Sequence, residues 1–144
     1  MTEPSGSPEV VRLKSEHSCD VVVARSVALR FARRHGFSEV RAQEVAIVAG
    51  ELASNLLRHA SEGVLELEWC DGAVRLRSLD RGTSAVVPES LLEHRGEVPR
   101  MVEDSGALRA GLGCGLGAVR RLSDEVSVRR RDDGWLEITA TRRG

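Results

Sequence analysis

Two Asp-Gly pairs, Asp71-Gly72 and Asp133-Gly134, limit what this chain can fold into. Asp-Gly tolerates the positive φ angles of a tight hairpin turn, so each pair marks a place where a strand doubles back. Before the first pair, "GVLELEW" (Gly63–Trp69) alternates apolar with acidic residues, the pattern of a half-buried strand, and "AVRLRSL" (Ala73–Leu79) returns from it. Around the second pair, Val126–Arg131 and Trp135–Thr141 make the same pattern. "VVRLK" (Val10–Lys14) adds a short edge strand.

Helical signals lie elsewhere. "DVVVARSVALRFARRHG" predicts a helix capped by Ser18 or Asp20 and closed by Gly36 in the left-handed position. A second helix is expected from just after Ser38 to about Ala60. "GLGCGLGAVRRLSDEV" reads as a glycine loop running into a third. Asp80 to Ala110, rich in Pro, Gly and charge, is expected to be a long connection with a short helix at "PESLLEHR". Helices and hairpins kept apart in this way imply an α+β fold, one sheet covered on one face by helices. Residues 1–9 read as a disordered lead-in and 10–144 as a single domain.

Composition narrows the function classes. Aromatics make up 3% of the 144 residues, too few for a surface that stacks single-stranded nucleic acid. A net charge of −1 supplies no bulk attraction to nucleic acid or an anionic membrane. The run "SVRRRDDG" mixes Arg with Asp and reads as a solvated hairpin tip, not a DNA contact. Cys19, Cys70 and Cys114 are too far apart for a C-x-x-C zinc pair or a disulfide framework, which points to reduced thiols in a cytoplasm. The start lacks the layout of a signal peptide, and no apolar run approaches the roughly 20 residues of a membrane span.

The second helix carries an unusual line. Val45, Val48, Ala49, Leu52, Ala53, Leu56 and Ala60 gather into one apolar stripe, with Glu51 and Asn55 on its border and Ser54 and Arg58 further out. Residues four apart stack on one side of a helix, so Glu51, Asn55 and His59 form a row. The row is either a solvated flank or a set of ligands. Gly50 costs about 1 kcal/mol relative to Ala in a helix interior, which either reflects a close approach or is merely tolerated. The glycines at 111, 113, 115 and 117 pose the same choice between a flexible connector and a phosphate cradle at a helix start. No Lys completes a Walker motif, and the loose G-x-G-x-x-A match follows a loop and not a strand.

Taken in order, the three pieces are more specific. E-x-x-x-N on a helix (Glu51, Asn55), D-x-G after a strand (Asp80-Arg81-Gly82) and G-x-G-x-G-L before a helix (Gly111 to Leu116) resemble the Bergerat-fold ATP-binding domains of the GHKL superfamily. "ARSVALRFARRHGFS", "GELASNLLRHA" and "LGCGLGAVRRLSDEV" look most like RsbT-type anti-sigma serine/threonine switch kinases, over about residues 15–141. The resemblance implies a two-layer α/β sandwich, a mixed sheet with helices on one face, that binds ATP and Mg²⁺. By position, Glu51 would be the general base and Asn55 the Mg²⁺ ligand. Asp80 would accept from the adenine amino group, with Gly82 keeping the backbone tight against the base. Gly111, Gly113 and Gly115 would cradle the phosphates, and Arg109 would reach the terminal one.

The implied function is phosphorylation of a Ser or Thr on a STAS-domain antagonist in a cytoplasmic stress-response partner switch. A phosphatase or a sigma-factor regulator would be a further partner. Two positions depart from the family pattern. Ser84 stands where a second glycine is usual, and Trp135 where a threonine follows the last turn; both are expected on the adenine side. They support an alternative: a non-catalytic interaction switch with weak or no ATP binding.

Overall fold

The computed structural model describes residues 9–59, 62–81 and 114–144. Strand β1 (Val10–Lys14) leads into helices α1 (Ser18–Arg34) and α2 (Glu39–His59). The hairpin β2 (Gly63–Cys70) and β3 (Ala73–Asp80) follows, then α3 (Cys114–Arg121) and a second hairpin, β4 (Glu125–Arg130) and β5 (Leu136–Arg143). The short helix expected at "PESLLEHR" lies outside the described residues.

Local chemistry accounts for the boundaries. The α1 N-cap is His17, one residue before Ser18. Asp20 reaches back instead, its carboxylate accepting the backbone N–H groups of Glu16 and His17 at 2.9 Å, and these bonds hold its pKa below the usual carboxylate value. Gly36, at φ +85°, takes the left-handed conformation just past the helix end. Ser38 opens α2, its hydroxyl accepting the Arg41 N–H at 3.2 Å. Asp71 and Gly72 both have positive φ, 51° and 78°, as a two-residue hairpin turn requires.

The strand order is β1-β2-β3-β5-β4, and every pairing among the described strands is antiparallel. Among the described strands the sheet is therefore antiparallel, where the family resemblance implied a mixed one. The chain returns from β3 through α3, so β4 runs parallel to β3. The hairpin then sets β5, already turned back, between them. Helices cover one face, as expected.

The core lies between that face and the helices. Val45, Val48, Leu52 and Leu56 of α2 meet Leu65, Leu67, Val74, Leu76, Ile138 and Ala140 of the sheet, with Leu116 and Val119 of α3 joining them. Helix α1 contributes Phe31 and the small residues Ala24, Ala28 and Ala32, which let it pack closely on α2. Leu52 is 0% exposed. Leu52→Ala is expected to cost about 2–5 kcal/mol in urea unfolding, whereas Val22→Ala, on the exposed side of α1, should stay within about 0.5 kcal/mol.

The opposite face is held by charge. Arg12, Glu66, Arg77, Glu137 and Arg129 form a ladder across the strands, with contacts of 2.8, 3.1, 3.5 and 3.1 Å. Glu66 and Glu137 expose only 7% and 11% of their side chains, each covered by the two arginines it binds. Removing either acid would leave arginines crowded without a counter-charge, which is more costly than the net worth of the pairs.

Candidate functional site

The polar row on α2 resolves into two different environments. Glu51 is half-buried and makes no hydrogen bond or ion pair among the described residues. Asn55 is 7% exposed, buried and not on a wet flank. Among the described residues neither its Oδ1 nor its Nδ2 has a hydrogen-bond partner. A buried amide left in this state costs about 1–3 kcal/mol, and a folded chain keeps few of them. Ser54 is half-buried and Arg58 exposed, as the helix wheel predicts. The side chain of His59 lies outside the described residues.

Asp80 ends β3 on the helix-covered face, 7% exposed and paired in register with buried Leu136. Two contacts tie this end of the sheet to the Glu51–Asn55 turn. Gly63, the register partner of Asp80, abuts Leu56, so closely that an added Cβ would lie 2.9 Å from the Leu56 Cβ. Ser15 bridges the same region, its N–H donating to the Gly63 carbonyl at 3.1 Å and its hydroxyl to the Ala53 carbonyl at 2.8 Å. Gly63→Ala must push strand and helix apart, and is expected to lower stability by about 1–3 kcal/mol in thermal or urea unfolding.

Gly115 is the second residue of α3, so it stands in the first turn of the helix and not in a loop before it. Free N–H groups at such an end attract anions. Helix α3 packs on α2 through Leu116 and Val119. Gly82, Arg109, Gly111 and Gly113, and with them Ser84, lie outside the described residues. The described members of the expected set, Glu51, Asn55, Asp80 and Gly115, therefore sit on the helix-covered side of the sheet. Asn55 and Asp80 are linked through Leu56 and Gly63. Among the described residues no cluster of His, Cys, Asp and Glu could hold a metal by itself.

Three placements were not legible in the residue pattern. Gly50 does allow a close approach, but by the neighbouring helix: its missing Cβ makes room for the Arg25 side chain, whose Cγ, Cδ and Nε would lie 2.8–2.9 Å from it. Gly63 is the contact that joins strand to helix; a glycine at the start of a half-buried strand was the available signal. Trp135, expected beside Asp80, lies on the other face of the sheet. It shares parity with Glu137, lines a hollow with Val64 and Leu79, and has the Arg81 guanidinium 5.9 Å from its ring centre. The second tryptophan, Trp69, is on the helix side, stacked on His35 at 4.4 Å.

Comparison with known proteins adds three findings. The profile of the histidine kinase-like ATPase domain family matches residues 15–141. The serine/threonine-protein kinase RsbT of Bacillus subtilis (strain 168) is 29% identical over 134 residues, covering 90% of this chain and 92% of that protein. Among solved structures, a chain of the SiaB–SiaC complex from Pseudomonas aeruginosa superposes with a TM-score of 0.63 at 10% identity, over 92% of this chain and 88% of that one. The last match concerns the fold alone.

Proposed function

Since this chain belongs to the histidine kinase-like ATPase domain family, we propose that it is a protein-serine/threonine kinase of a partner-switching pathway, acting on a STAS-domain antagonist. The observation that carries the reading is the buried amide of Asn55, without a partner among the described residues, one helical turn from Glu51, likewise unpaired among them. That pair suits a Mg²⁺–nucleotide. Magnesium takes few protein ligands, and a neutral amide oxygen beside phosphate oxygens is an ordinary member of its shell. The likeness to a serine/threonine kinase along 90% of the chain supports the choice of reaction.

In this reading Asn55 Oδ1 would hold Mg²⁺ and the Asp80 carboxylate would accept from the adenine amino group. Gly82 would allow close approach to the base, and the N–H groups of Gly111, Gly113 and Gly115 would bind the phosphates, with Arg109 toward the terminal one. When bound, ATP would supply the phosphoryl group, with ADP as the leaving group, and Mg²⁺ would supply charge neutralisation. Glu51 would take the proton of the acceptor hydroxyl as its oxygen bonds to phosphorus and the bond to ADP breaks. The protein's share of the work is positioning and charge neutralisation.

Trp135 was one of two departures that favoured an interaction module without nucleotide. Its position behind the sheet removes the steric half of that argument. The reading is tested with γ-labelled ATP, Mg²⁺ and purified STAS-domain proteins. Label is expected on a Ser or Thr of one of them, together with saturable heat on mixing the chain with Mg-ATP. Heat without transfer to any STAS protein would refute this substrate class. Absence of both would refute nucleotide chemistry and leave the interaction module.

A further inference from the structure

The outer face of the sheet, opposite Asn55 and Asp80, carries a second built feature. A hollow of about 250 Å³ is lined by Val64, Leu79, Trp135, Arg12 and Arg131. Its floor is apolar, its two charged walls are both guanidinium groups, and no carboxylate lines it. Each wall is anchored from behind. Arg12 Nε donates to Glu66 at 2.8 Å, and Arg131 pairs with Asp133 at 3.1 Å. The acids near it, Glu66, Glu137, Asp133 and Glu62, are each engaged: by Arg12 and Arg77, by Arg77 and Arg129, by Arg131, and by Arg81 respectively. Lys14, exposed on the same face and in register with Val64, adds a further positive charge.

Trp135 is held as firmly. Its N–H donates to Asp133 Oδ1 at 3.1 Å, and its carbonyl accepts the Arg131 N–H at 2.8 Å. Gly134, at φ +91°, lets the hairpin turn tightly enough for both bonds. These backbone bonds fix the point from which the indole projects, and an indole over an apolar floor with cations at its margins is the kind of anchor that interfaces use.

We propose that this hollow docks an acidic segment of a partner protein, one that places an aliphatic side chain on Trp135 and a carboxylate between Arg12 and Arg131. Size and charge select this occupant. The hollow is smaller than the roughly 300–1,000 Å³ of small-molecule sites and suits one or two side chains. A second copy of the chain meeting it symmetrically would set arginine against arginine. A bare inorganic anion would leave the apolar floor unused. The surface lies on the face opposite the nucleotide residues, so it does not depend on the kinase reading.

The test is selection of random dodecapeptides displayed on phage against the full-length chain, followed by affinity measurement with the selected peptides. Anisotropy of the dye-labelled selected peptides is the readout, so that chains with and without Trp135 are measured alike. Sequences with Asp or Glu beside Leu, Ile, Met or Phe are expected to be enriched. Arg131→Gln and Trp135→Ala, each checked for an unchanged melting profile, should weaken binding at least about tenfold, the cost of losing one anchor. Three results would overturn the proposal: no acidic bias among selected peptides, affinity unchanged in both variants, or a concentration-dependent dimer that either substitution dissociates.

Discussion

Replacing Glu51 with glutamine is expected to cut phosphoryl transfer by about 10²–10⁴-fold, the usual contribution of a positioned general base. Mg-ATP affinity should stay within about threefold, because the substitution keeps size and removes only the capacity to take a proton. The two measurements together carry the argument. Glu51 is half-buried and unpaired among the described residues, so no salt bridge is lost and the fold should not suffer. Stability within about 0.5 kcal/mol of the parent is therefore part of the same expectation. Rapid transfer by Glu51→Gln would remove residue 51 from the chemistry. Lost affinity with normal turnover at saturation would make it a binding group instead.

Asn55→Leu should move stability and activity in opposite directions. The amide is buried, and neither of its polar atoms has a partner among the described residues. Leucine has similar reach and no polar group to desolvate, so the nucleotide-free chain is expected to gain about 1–2 kcal/mol. Its melting temperature would rise by about 2–4 °C for each of those kcal/mol. Mg-ATP should then produce no further rise, since a ligand stabilises a protein only in proportion to its affinity for the folded form. Phosphoryl transfer should be lost with it. A destabilised Asn55→Leu variant that still responds to Mg-ATP would show that the amide serves packing. Functional sites often hold this kind of trade, in which a polar group is left unsatisfied until its ligand arrives.

Much of the architecture was legible because it rests on short-range rules. Asp71-Gly72 and Asp133-Gly134 both turn hairpins, and the strands fall within two residues of their expected ends. The apolar stripe from Val45 to Leu56 is buried along its length. Ser38 and Gly36 act at the helix boundaries where their chemistry suits them. Glu51 and Asn55 could be singled out from their spacing, since i, i+4 geometry holds in any helix.

What spacing could not tell was how deep each residue of that pair would sit. Glu51 and Asn55 are both border residues on a helix wheel, yet only Asn55 is buried, in the turn of α2 whose neighbours Ala53 and Leu56 meet Ser15 and Gly63. Gly50 read as a weakness or a ligand approach until α1 laid Arg25 across it. The antiparallel pairing of the described strands and the side taken by Trp135 went against what the family resemblance implied.

By itself the amino-acid sequence determined the elements, their order, the inward face of each and the family to which the chain belongs. These follow from backbone propensities and periodicities that act within a few residues. The tertiary structure alone decided that β5 would lie between β3 and β4, that Trp135 would face away from Asp80, and that one amide of the polar row would lose its water. Each of those depends on which segments distant in the chain come into contact. Burial is a property of that contact, not of any residue taken singly.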